Sequence, residues 1–365
     1  MARPVPLVER VAARAFRIPT DAPEADGTLA WHATTLVVAE VSAGGMTGLG
    51  YTYAGTAAAG LISDVLAPLL VGEDGFGIPH AWDRMFAGVR NLGSRGLCAT
   101  AISAVDVALW DLKARYLGLP LAQLLGAARD NVPIYGSGGF TTYSCRRLSE
   151  QLAMWVEKDG CRWVKMKVGS DPQEDVARVR AARAAVGSAG LFVDANGAYA
   201  RKEAVEFARR VAELGASWFE EPVSSDDLEG LRLMRDRAPP GMEIAAGEYG
   251  YEPRYFRRML EAGAVDVIQA DATRCCGITG FLRAAALADA YMIPLSAHTA
   301  PALHLHVCCA APRLRHIEWF HDHVRIEQML FDGAPTPEAG AIRPDLSRPG
   351  HGLEFKRSDA ERFAV

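Results

Sequence analysis

The sequence predicts an α/β fold: a (β/α) barrel of the TIM type, modified and with about seven to eight units, preceded by an N-terminal α+β capping domain that the C-terminal tail completes. Three observations predict it. Antiparallel strand signals followed by a helix open the chain, short apolar runs then alternate with amphipathic segments, and the tail has too little pattern for another unit. With 365 residues, the chain is long enough for two domains.

Residues 1–127 form the predicted capping domain. Three strand-like runs suggest an antiparallel meander, and they lie at Val8–Arg17, Ala30–Val41 and Gly48–Tyr53. The polar stretch Pro19–Gly27 is expected to connect the first two. A helix is expected over Ala99–Tyr116, because apolar residues recur there at helical spacing and Gly118 and Pro120 follow.

Residues 128–330 form the predicted barrel. Its eight expected strands are Val132–Tyr135, Trp163–Val168, Leu191–Val193, Ser217–Phe219, Glu243–Ala246, Val265–Ile268, Ile293–Leu295 and Arg315–Glu318. Amphipathic segments separate them, most clearly Arg201–Leu214. An open, doubly wound sheet is the rival fold, but no GxGxxG motif follows the first run. Residues 331–365, rich in Gly, Pro and Asp, are expected to return to the capping domain.

The composition excludes several classes of protein. Apolar residues make up 50% of the chain and charged residues 23%, as in globular proteins. The net charge is −5 and no basic cluster is interleaved with aromatics, so nucleic acid is not an expected partner. No apolar run approaches about 18 residues and no signal peptide is evident, so we expect a cytoplasmic protein without membrane contact. The seven cysteines include no CxxC, which argues against a disulfide framework or a zinc site.

Ionisable side chains stand where each predicted barrel strand after the first ends. The carboxyl ends of barrel strands share one mouth, so these groups should meet there although they are far apart in sequence. They are Lys165, Lys167, Asp194, Glu220, Glu248, Asp271, His298 and Glu318.

Three carboxylates end successive strands and suggest a metal site. Asp194, Glu220 and Glu248 could hold a hard cation such as Mg²⁺, which prefers oxygen ligands. Each one alone could also be a helix N-cap. Glu221, adjacent to Glu220, is expected to point to the opposite face of the strand.

The basic residues at the strand ends suggest acid–base chemistry. Lys165 and Lys167 share one strand face and need an anion or carboxylates nearby, unless they lie on a solvated edge strand. His298 could be a base or a core histidine, and Asp271, one unit earlier, could orient its ring. Five other histidines are expected to be structural, and they are His304, His306, His316, His321 and His323.

Taken together, these motifs resemble the enolase superfamily, and specifically its mandelate racemase branch, over nearly the whole chain. The motifs, in order, are Lys165-x-Lys167, Asp194-x-Asn196, Glu220-Glu221-Pro222, Gly247-Glu248, Asp271, Gly277-Ile278-Thr279-Gly280, His298 and Glu318. The resemblance implies that the three carboxylates hold Mg²⁺ and that Lys167 is a general base on one side of the substrate. It implies that the His298–Asp271 pair is the acid or base on the other side.

The resemblance also gives expectations for substrate contacts and assembly. Glu318 would hydrogen-bond a substrate carboxylate oxygen, and Lys165 would support Lys167 and the bound carboxylate. The protein would form a homo-oligomer. Arg274 stands where the branch often has Lys, and Cys276-Gly277 replaces a common Gly-Gly. The shape around the His298–Asp271 pair is therefore expected to differ from that in other members of the branch. Specificity loops are expected at about Thr20–Trp31 and Tyr51–Ala58. The residues expected to bind substrate are Asn196, Tyr51 and Arg274.

The implied reaction is removal of the hydrogen α to a substrate carboxylate, through a metal-stabilised enolate. This hydrogen is far less acidic than any side chain, so charge stabilisation must dominate. Lys167 must be neutral to accept a proton, and we expect Lys165 and Mg²⁺ to lower its pKa.

Several functions remain open on these residues. Dehydration of an acid sugar, a lyase reaction, is the first hypothesis. A racemase, epimerase or cycloisomerase of a hydroxy acid or acid-sugar lactone is the alternative. Dehydration and racemisation can both use two opposed bases, so these residues do not separate them. A binding protein that has lost catalysis is disfavoured, because every metal and base position is present.

Overall fold

The computed structural model describes residues 5–365. Its N-terminal part is a three-stranded antiparallel sheet covered by helices. Its strands are β1 (Val8–Ala25), β2 (Ala30–Ala43) and β3 (Met46–Tyr53). Its helices, with a π-helical segment at Ile62–Leu66, are α1 (Ala57–Leu61), α2 (Ala67–Leu70), α3 (Ile78–Gly88), α4 (Leu97–Leu117) and α5 (Leu121–Leu125). The predicted α+β cap is confirmed.

The β1–β2 hairpin is longer than the sequence indicated. The expected connector Pro19–Gly27 instead continues β1 to Ala25, with a register shift between Pro19 and Glu24. Pairing resumes where Glu24 lies opposite Trp31, whose indole N–H donates a 2.8 Å hydrogen bond to Glu24 Oε2. The polar side chain of Glu24 is buried and hydrogen-bonded within the sheet. The segment is therefore part of a strand, although its polar composition had indicated a loop.

Helix α4 packs closely against β3 because two glycines of the strand face it. A Cβ atom at Gly48 would lie 2.0 Å from the carbonyl oxygen of Ala108, and one at Gly50 would lie 2.1 Å from that of Ala104. Any side chain there would force the helix away from the sheet. The expected helix at Ala99–Tyr116 is confirmed, with one residue more at its C-terminal end and two more at its N-terminal end.

The central part of the chain is a closed barrel of eight parallel strands. They are β4 (Val132–Gly138), β5 (Trp163–Lys167), β6 (Gly190–Asp194), β7 (Ala216–Glu220), β8 (Glu243–Ala246), β9 (Val267–Ala270), β10 (Leu295–Ala297) and β11 (Leu314–Phe320). Neighbours in sequence are neighbours in the sheet, and β11 pairs with β4. That pairing closes the barrel and excludes the open, doubly wound sheet.

Aromatic side chains fill the barrel interior beneath its mouth. Phe192 and Trp218 stack with ring centroids 4.9 Å apart, and Tyr135 and His316 pack beside them. His316 is buried, and its Nδ1 lies 2.9 Å from the hydroxyl of Ser296. The polar mouth therefore rests on a water-excluding apolar floor.

The outer helices follow the strands in the order that the sequence predicts. They are α6 (Cys145–Glu157), α7 (Asp175–Val186), α8 (Arg201–Ala212), α9 (Leu228–Arg237), α10 (Pro253–Glu261), α11 (Gly277–Ala290), α12 (Pro301–Ala310) and α13 (His321–Leu330). Across residues 5–365, no helix combines the length and apolar character needed to cross a bilayer.

The C-terminal tail runs along the barrel and returns to the cap. Its elements are β12 (Phe331–Asp332), β13 (Ala341–Ile342), β14 (Glu354–Phe355), α14 (Arg357–Ala360) and a 3₁₀ turn at Glu361–Phe363. Strand β13 pairs with β4 of the barrel. The backbone N–H of His351 donates to Asp111 of α4 at 2.9 Å, and Ala364 pairs with Phe16 of β1. The tail thus completes the cap, as predicted.

Candidate active site

The ionisable side chains predicted from the strand ends meet at the carboxyl mouth of the barrel. Lys165 and Lys167 lie on β5, Asp194 ends β6, and Glu220 ends β7. Glu248, Asp271 and His298 follow β8, β9 and β10, and Glu318 lies on β11. All eight are buried.

Three of these carboxylates converge as a metal site requires. Asp194, Glu220 and Glu248 each place an oxygen within 4.8 Å of the others. Glu248 Oε2 is buried without a hydrogen-bond partner in the described structure. Burial, together with the charge of Asp194, raises the pKa of Glu220 well above its ordinary value. Three buried carboxylates that repel one another, one of them with an unpartnered oxygen, form the oxygen ligand set that a hard divalent cation such as Mg²⁺ prefers, so the residues present fit this ion.

Glu221 does not point away from this cluster as expected. Its backbone φ of 37° departs from the extended conformation, so the alternation of side chains ends at Glu220. Burial and the nearby charge of Glu248 raise the pKa of Glu221. Glu221 is thus a fourth acidic group beside the metal site.

The two lysines of β5 contact the carboxylates directly. Lys165 Nζ lies 2.9 Å from Glu318 Oε1 and also bonds Glu220. Lys167 Nζ lies 2.6 Å from Asp194 Oδ2 and 2.9 Å from the side-chain oxygen of Asn196. Burial between carboxylates, and not a solvated edge strand, therefore explains the pair.

The pKa of Lys167 differs from the expectation. Burial, the largest single effect, lowers this pKa and so does Lys165, as expected, but the charges of Asp194, Glu248 and Glu318 together raise it above the ordinary value. The ammonium form of Lys167 is therefore stable as long as no bound cation neutralises the carboxylate of Asp194.

His298 and Asp271 form a hydrogen-bonded pair across adjacent strands. Nδ1 of His298 lies 2.8 Å from Asp271 Oδ2, and Nε2 lies 3.3 Å from Glu248 Oε2. Burial alone would raise the pKa of Asp271, but the hydrogen bond and charge of His298 hold it below its ordinary value. The ionised carboxylate fixes the Nδ1–H tautomer and leaves Nε2 free for proton transfer.

His304 holds the backbone beside the His298–Asp271 pair in place. Its Nε2 accepts the backbone N–H of Ala272 at 2.7 Å, and its Nδ1 lies 2.9 Å from the carbonyl oxygen of Thr299. This arrangement requires the neutral ring, and burial lowers the pKa of His304 accordingly. His304 is thus a buried structural histidine, as expected.

Glu318 is held in its ionised form. Its Oε1 accepts hydrogen bonds from Lys165 and from the hydroxyl of Ser137, and its Oε2 accepts the backbone N–H of Thr299 at 3.2 Å. Burial would raise its pKa, but Lys165 and His298 lower it below the ordinary value. Three donors on one carboxylate position it rigidly at the mouth.

A cavity of about 230 Å³ lies between these groups and the tip of the β1–β2 hairpin. From the barrel it is lined by Lys167, Asn196, Glu248, Tyr249, Arg274, His298, Thr299, Glu318, Phe320 and His323. From the cap it is lined by Asp26, Leu29, Trp31, Ala33 and Thr34. Its volume suits a ligand smaller than a typical drug molecule.

Of the three predicted substrate contacts, two line the cavity and one does not. Arg274 Nη1 lies 3.1 Å from Glu248 Oε1, and Asn196 lies beside Lys167. Tyr51 is fully buried elsewhere, and its hydroxyl donates a 2.6 Å hydrogen bond to Glu327 of α13. The expectation for Tyr51 is corrected, because its side of β3 faces the core between cap and barrel and not the cavity.

Several lining residues carried no sequence signal strong enough to select them. Asp26 and Trp31 lie within the expected specificity loop Thr20–Trp31, but no motif singled out either residue, and Tyr249 follows Glu248 without a motif of its own. His323 was expected to be structural, and it is both buried and part of the cavity wall. Residue type alone does not distinguish these roles, since they depend on contacts between distant segments.

A closed barrel whose mouth holds converging carboxylates, an opposed lysine and a histidine–aspartate pair defines a class of metal-assisted acid–base enzymes. Comparison with family models agrees. Residues 12–126 match the mandelate racemase/muconate lactonizing enzyme N-terminal domain, and residues 147–360 match the enolase C-terminal domain-like family. The chain belongs to the mandelate racemase/muconate lactonizing enzyme family of the enolase superfamily.

Individual proteins of this family are similar over nearly the whole chain. A solved mandelate racemase/muconate lactonizing enzyme-like protein from Rubrobacter xylanophilus is 52% identical, with a TM-score of 0.96 over 99% of this chain and all of that one. A 3,6-anhydro-alpha-L-galactonate cycloisomerase from Streptomyces coelicolor is 34% identical, with 96% of this chain and 98% of the relative covered.

A dehydratase is among the similar proteins. L-talarate/galactarate dehydratase from Salmonella typhimurium is 34% identical over 308 residues, which cover 82% of this chain and 77% of that one. Its crystal structure with Mg and L-lyxarohydroxamate has a TM-score of 0.89, with 99% of this chain and 94% of that chain covered. The present chain is accordingly a magnesium-dependent enzyme of the enolase superfamily.

Proposed function

We propose that this enzyme removes the hydrogen α to the carboxylate of an acid sugar and dehydrates the sugar. One observation carries the proposal: two proton-transfer groups, Lys167 and His298, line one cavity together with Glu248, which belongs to the cluster of three carboxylates. The similar dehydratases and cycloisomerases of acid sugars support the substrate class.

The two proton-transfer groups approach the cavity from different sides. Lys167 stands on β5 and His298 follows β10. In one direction around the barrel β4 and β11 lie between them, and in the other direction β6 to β9, of which β6, β7 and β8 carry the three clustered carboxylates. A ligand in the cavity therefore meets one group on each face. When bound, Mg²⁺ supplies positive charge for the substrate carboxylate and weakens the attraction of Asp194 for the ammonium of Lys167.

Each residue then has a distinct task in dehydration. Neutral Lys167 takes the α-hydrogen as a proton, and Lys165 stabilises the negative charge that develops on the carboxylate. His298, protonated at Nε2 and oriented by Asp271, gives a proton to the departing β-hydroxyl, which leaves as water. The enol that remains tautomerises to a 2-keto-3-deoxy acid, so atoms and charge balance. Glu318 and Asn196 hold the substrate from either side.

Racemisation, epimerisation or cycloisomerisation is the second candidate. It is favoured by the same opposed placement, because Lys167 and His298 could exchange a proton across a planar intermediate without losing the β-hydroxyl. The similarity to the Streptomyces coelicolor cycloisomerase favours it as well. We further propose that the ligand is a small-molecule carboxylate and that the chain self-associates.

The test is incubation with Mg²⁺ and a panel of acid sugars in deuterated water. A semicarbazide-reactive keto acid that is lighter than its substrate by one water identifies dehydration, whereas deuterium at the α-carbon with inversion identifies racemisation or epimerisation. Opening or closing of a lactone without water loss identifies cycloisomerisation. Neither exchange nor product from any acid sugar or its lactone would contradict the proposal.

A further inference from the structure

The active-site cavity has a side whose chemistry differs from that of the catalytic groups. We call it the cap side and define it by Asp26, Leu29, Trp31, Thr34, Phe320 and His323, which all line the cavity. The first four lie on the β1–β2 hairpin or the start of β2, and the last two lie beneath them. The far end of a substrate whose carboxylate sits at the catalytic groups would lie against this side.

The cap side provides no cation. Among the described residues, the lysines and arginines that line the cavity are Lys167 and Arg274, and these pair with Asp194 and Glu248 respectively. His323 is neutral, because burial lowers its pKa and because its Nδ1 accepts the backbone N–H of Ala300. A second carboxylate on the ligand would find no countercharge there.

The polar atoms of the cap side are mostly acceptors. Oδ1 of Asp26 accepts three hydrogen bonds from Thr28 and Leu29, which hold the side chain in place, and none of the described residues bonds Oδ2. The hydroxyl of Thr34 donates to Asp322 and so offers only its lone pairs to the cavity. Fixed acceptors match the hydroxyl donors of a polyol and oppose a carboxylate, which has no hydrogen to give.

The rest of the cap side is apolar. The indole N–H of Trp31 is already bonded to Glu24, and the ring packs edge-to-face on Phe140 at 5.6 Å. Leu29 and Phe320 add further apolar surface. Together these groups suit the C–H face of an uncharged carbon chain.

We propose that the cap side is a specificity subsite that accepts the neutral, hydroxylated end of a monocarboxylate acid sugar and rejects a second carboxylate, with Asp26 as the discriminating residue. This inference rests on the proposed function and narrows it to aldonate-type acids or their lactones. Dicarboxylate acid sugars of the same configuration are predicted to be poor ligands.

One nearby arginine, Arg95, could provide a countercharge for a second carboxylate. Arg95 lines a separate cleft of about 470 Å³ that meets the cavity at Asn196 and Tyr249. Its Nε lies 3.9 Å from Glu252, and half of its side chain is exposed. A dicarboxylate would have to extend past Tyr249 to reach it, so Arg95 is included in the test.

The experiment compares acid pairs that differ only at the terminal carbon. Gluconate and glucarate, and galactonate and galactarate, share their inner carbons and carry either a terminal alcohol or a second carboxylate. Binding to the Mg²⁺-loaded full chain is measured by calorimetry, and α-hydrogen exchange is measured in deuterated water. We expect a preference of roughly 100-fold for the monocarboxylate, because juxtaposed like charges are strongly unfavourable.

Variants locate the discrimination. Asp26→Asn keeps an acceptor for Thr28 and Leu29 but removes the charge, and it should reduce the preference about tenfold. Asp21→Asn, a matched change on the same hairpin outside the cavity, should leave the preference unchanged. Equal melting temperatures of the three proteins would confirm that folding is unaffected.

Three results would overturn the inference while leaving the proposed function in place. These are equal or better binding of the dicarboxylates, an unchanged preference in Asp26→Asn, and selective loss of dicarboxylate binding in Arg95→Ala. If no acid sugar of the wider panel and no lactone binds or exchanges its α-hydrogen, the proposed function and this inference both fail.

Discussion

Nδ1 of His298 lies 2.8 Å from Oδ2 of Asp271, and this hydrogen bond decides which ring nitrogen can take part in proton transfer. Asp271 is itself fixed by the backbone N–H of Thr273 at 2.7 Å. Because an ionised carboxylate accepts the Nδ1–H, Nε2 is left facing the cavity and Glu248. The geometry of the pair thus supports His298 as an acid or a base whose orientation depends on Asp271.

Asp271→Asn should lower kcat by roughly 10²–10⁴, because the amide can donate to Nδ1 and favour the wrong tautomer. Binding of Mg²⁺ and the melting temperature should change little, since the shape of the side chain is kept. Turnover, calorimetry and thermal unfolding would be measured on the same preparation. Wild-type kcat in this variant would contradict the role of the pair.

Lys167→Met should abolish removal of the α-hydrogen, with a loss of at least about 10³ in the rate of exchange, because one of the two proton acceptors is missing. The measurement is loss of α-hydrogen from substrate in deuterated water. Lys202→Met, a change at an exposed lysine of α8, is the matched control and should have no effect. Equal exchange rates in both variants would remove Lys167 from the mechanism.

Glu248→Gln should weaken Mg²⁺ binding by about tenfold or more, because a charged oxygen that lacks a protein partner is replaced by an amide. Wild-type protein should also melt at a higher temperature in excess Mg²⁺ than in EDTA, since an ion that binds only the folded state stabilises it. Glu213→Gln, on an exposed residue, is the control. Unchanged affinity in Glu248→Gln would place the ion elsewhere.

Glu327 should make folding stability depend on pH. Burial raises its pKa from 4.5 to about 8, so the folded state holds a proton that the unfolded state releases. This contribution is complete below pH 4.5 and is lost as pH rises through about 8, with a slope of ~1 kcal/mol per pH unit between these values.

Glu327→Gln tests this dependence, because the amide can still bond Tyr51 and the backbone N–H of Ala302 but does not titrate. Chemical unfolding at pH 5.5 and 7.5 should show a smaller decrease in stability for the variant than for wild type. Buried Glu24, whose pKa is also raised to about 8, remains in both proteins, so only the difference is informative. Parallel curves would contradict the assignment.

The order of strands and the residues at their ends were determined by the sequence itself. Eight apolar runs and the ionisable groups after them are local patterns, and parallel strands in a closed barrel necessarily bring their carboxyl ends together. For this reason Asp194, Glu220 and Glu248 could be predicted as neighbours, and the structure brings them within ligand distance.

Other features were decided only by the tertiary structure. Tyr51 faces Glu327 and not the cavity, because the packing of the cap on α13 determines which side of β3 is enclosed. The pKa of Lys167 depends on how closely Asp194 approaches it, and the role proposed for Asp26 depends on where the hairpin tip meets the barrel. Charge balance and enclosure arise between distant segments of the chain, whereas periodicity and turn signals act within a few residues.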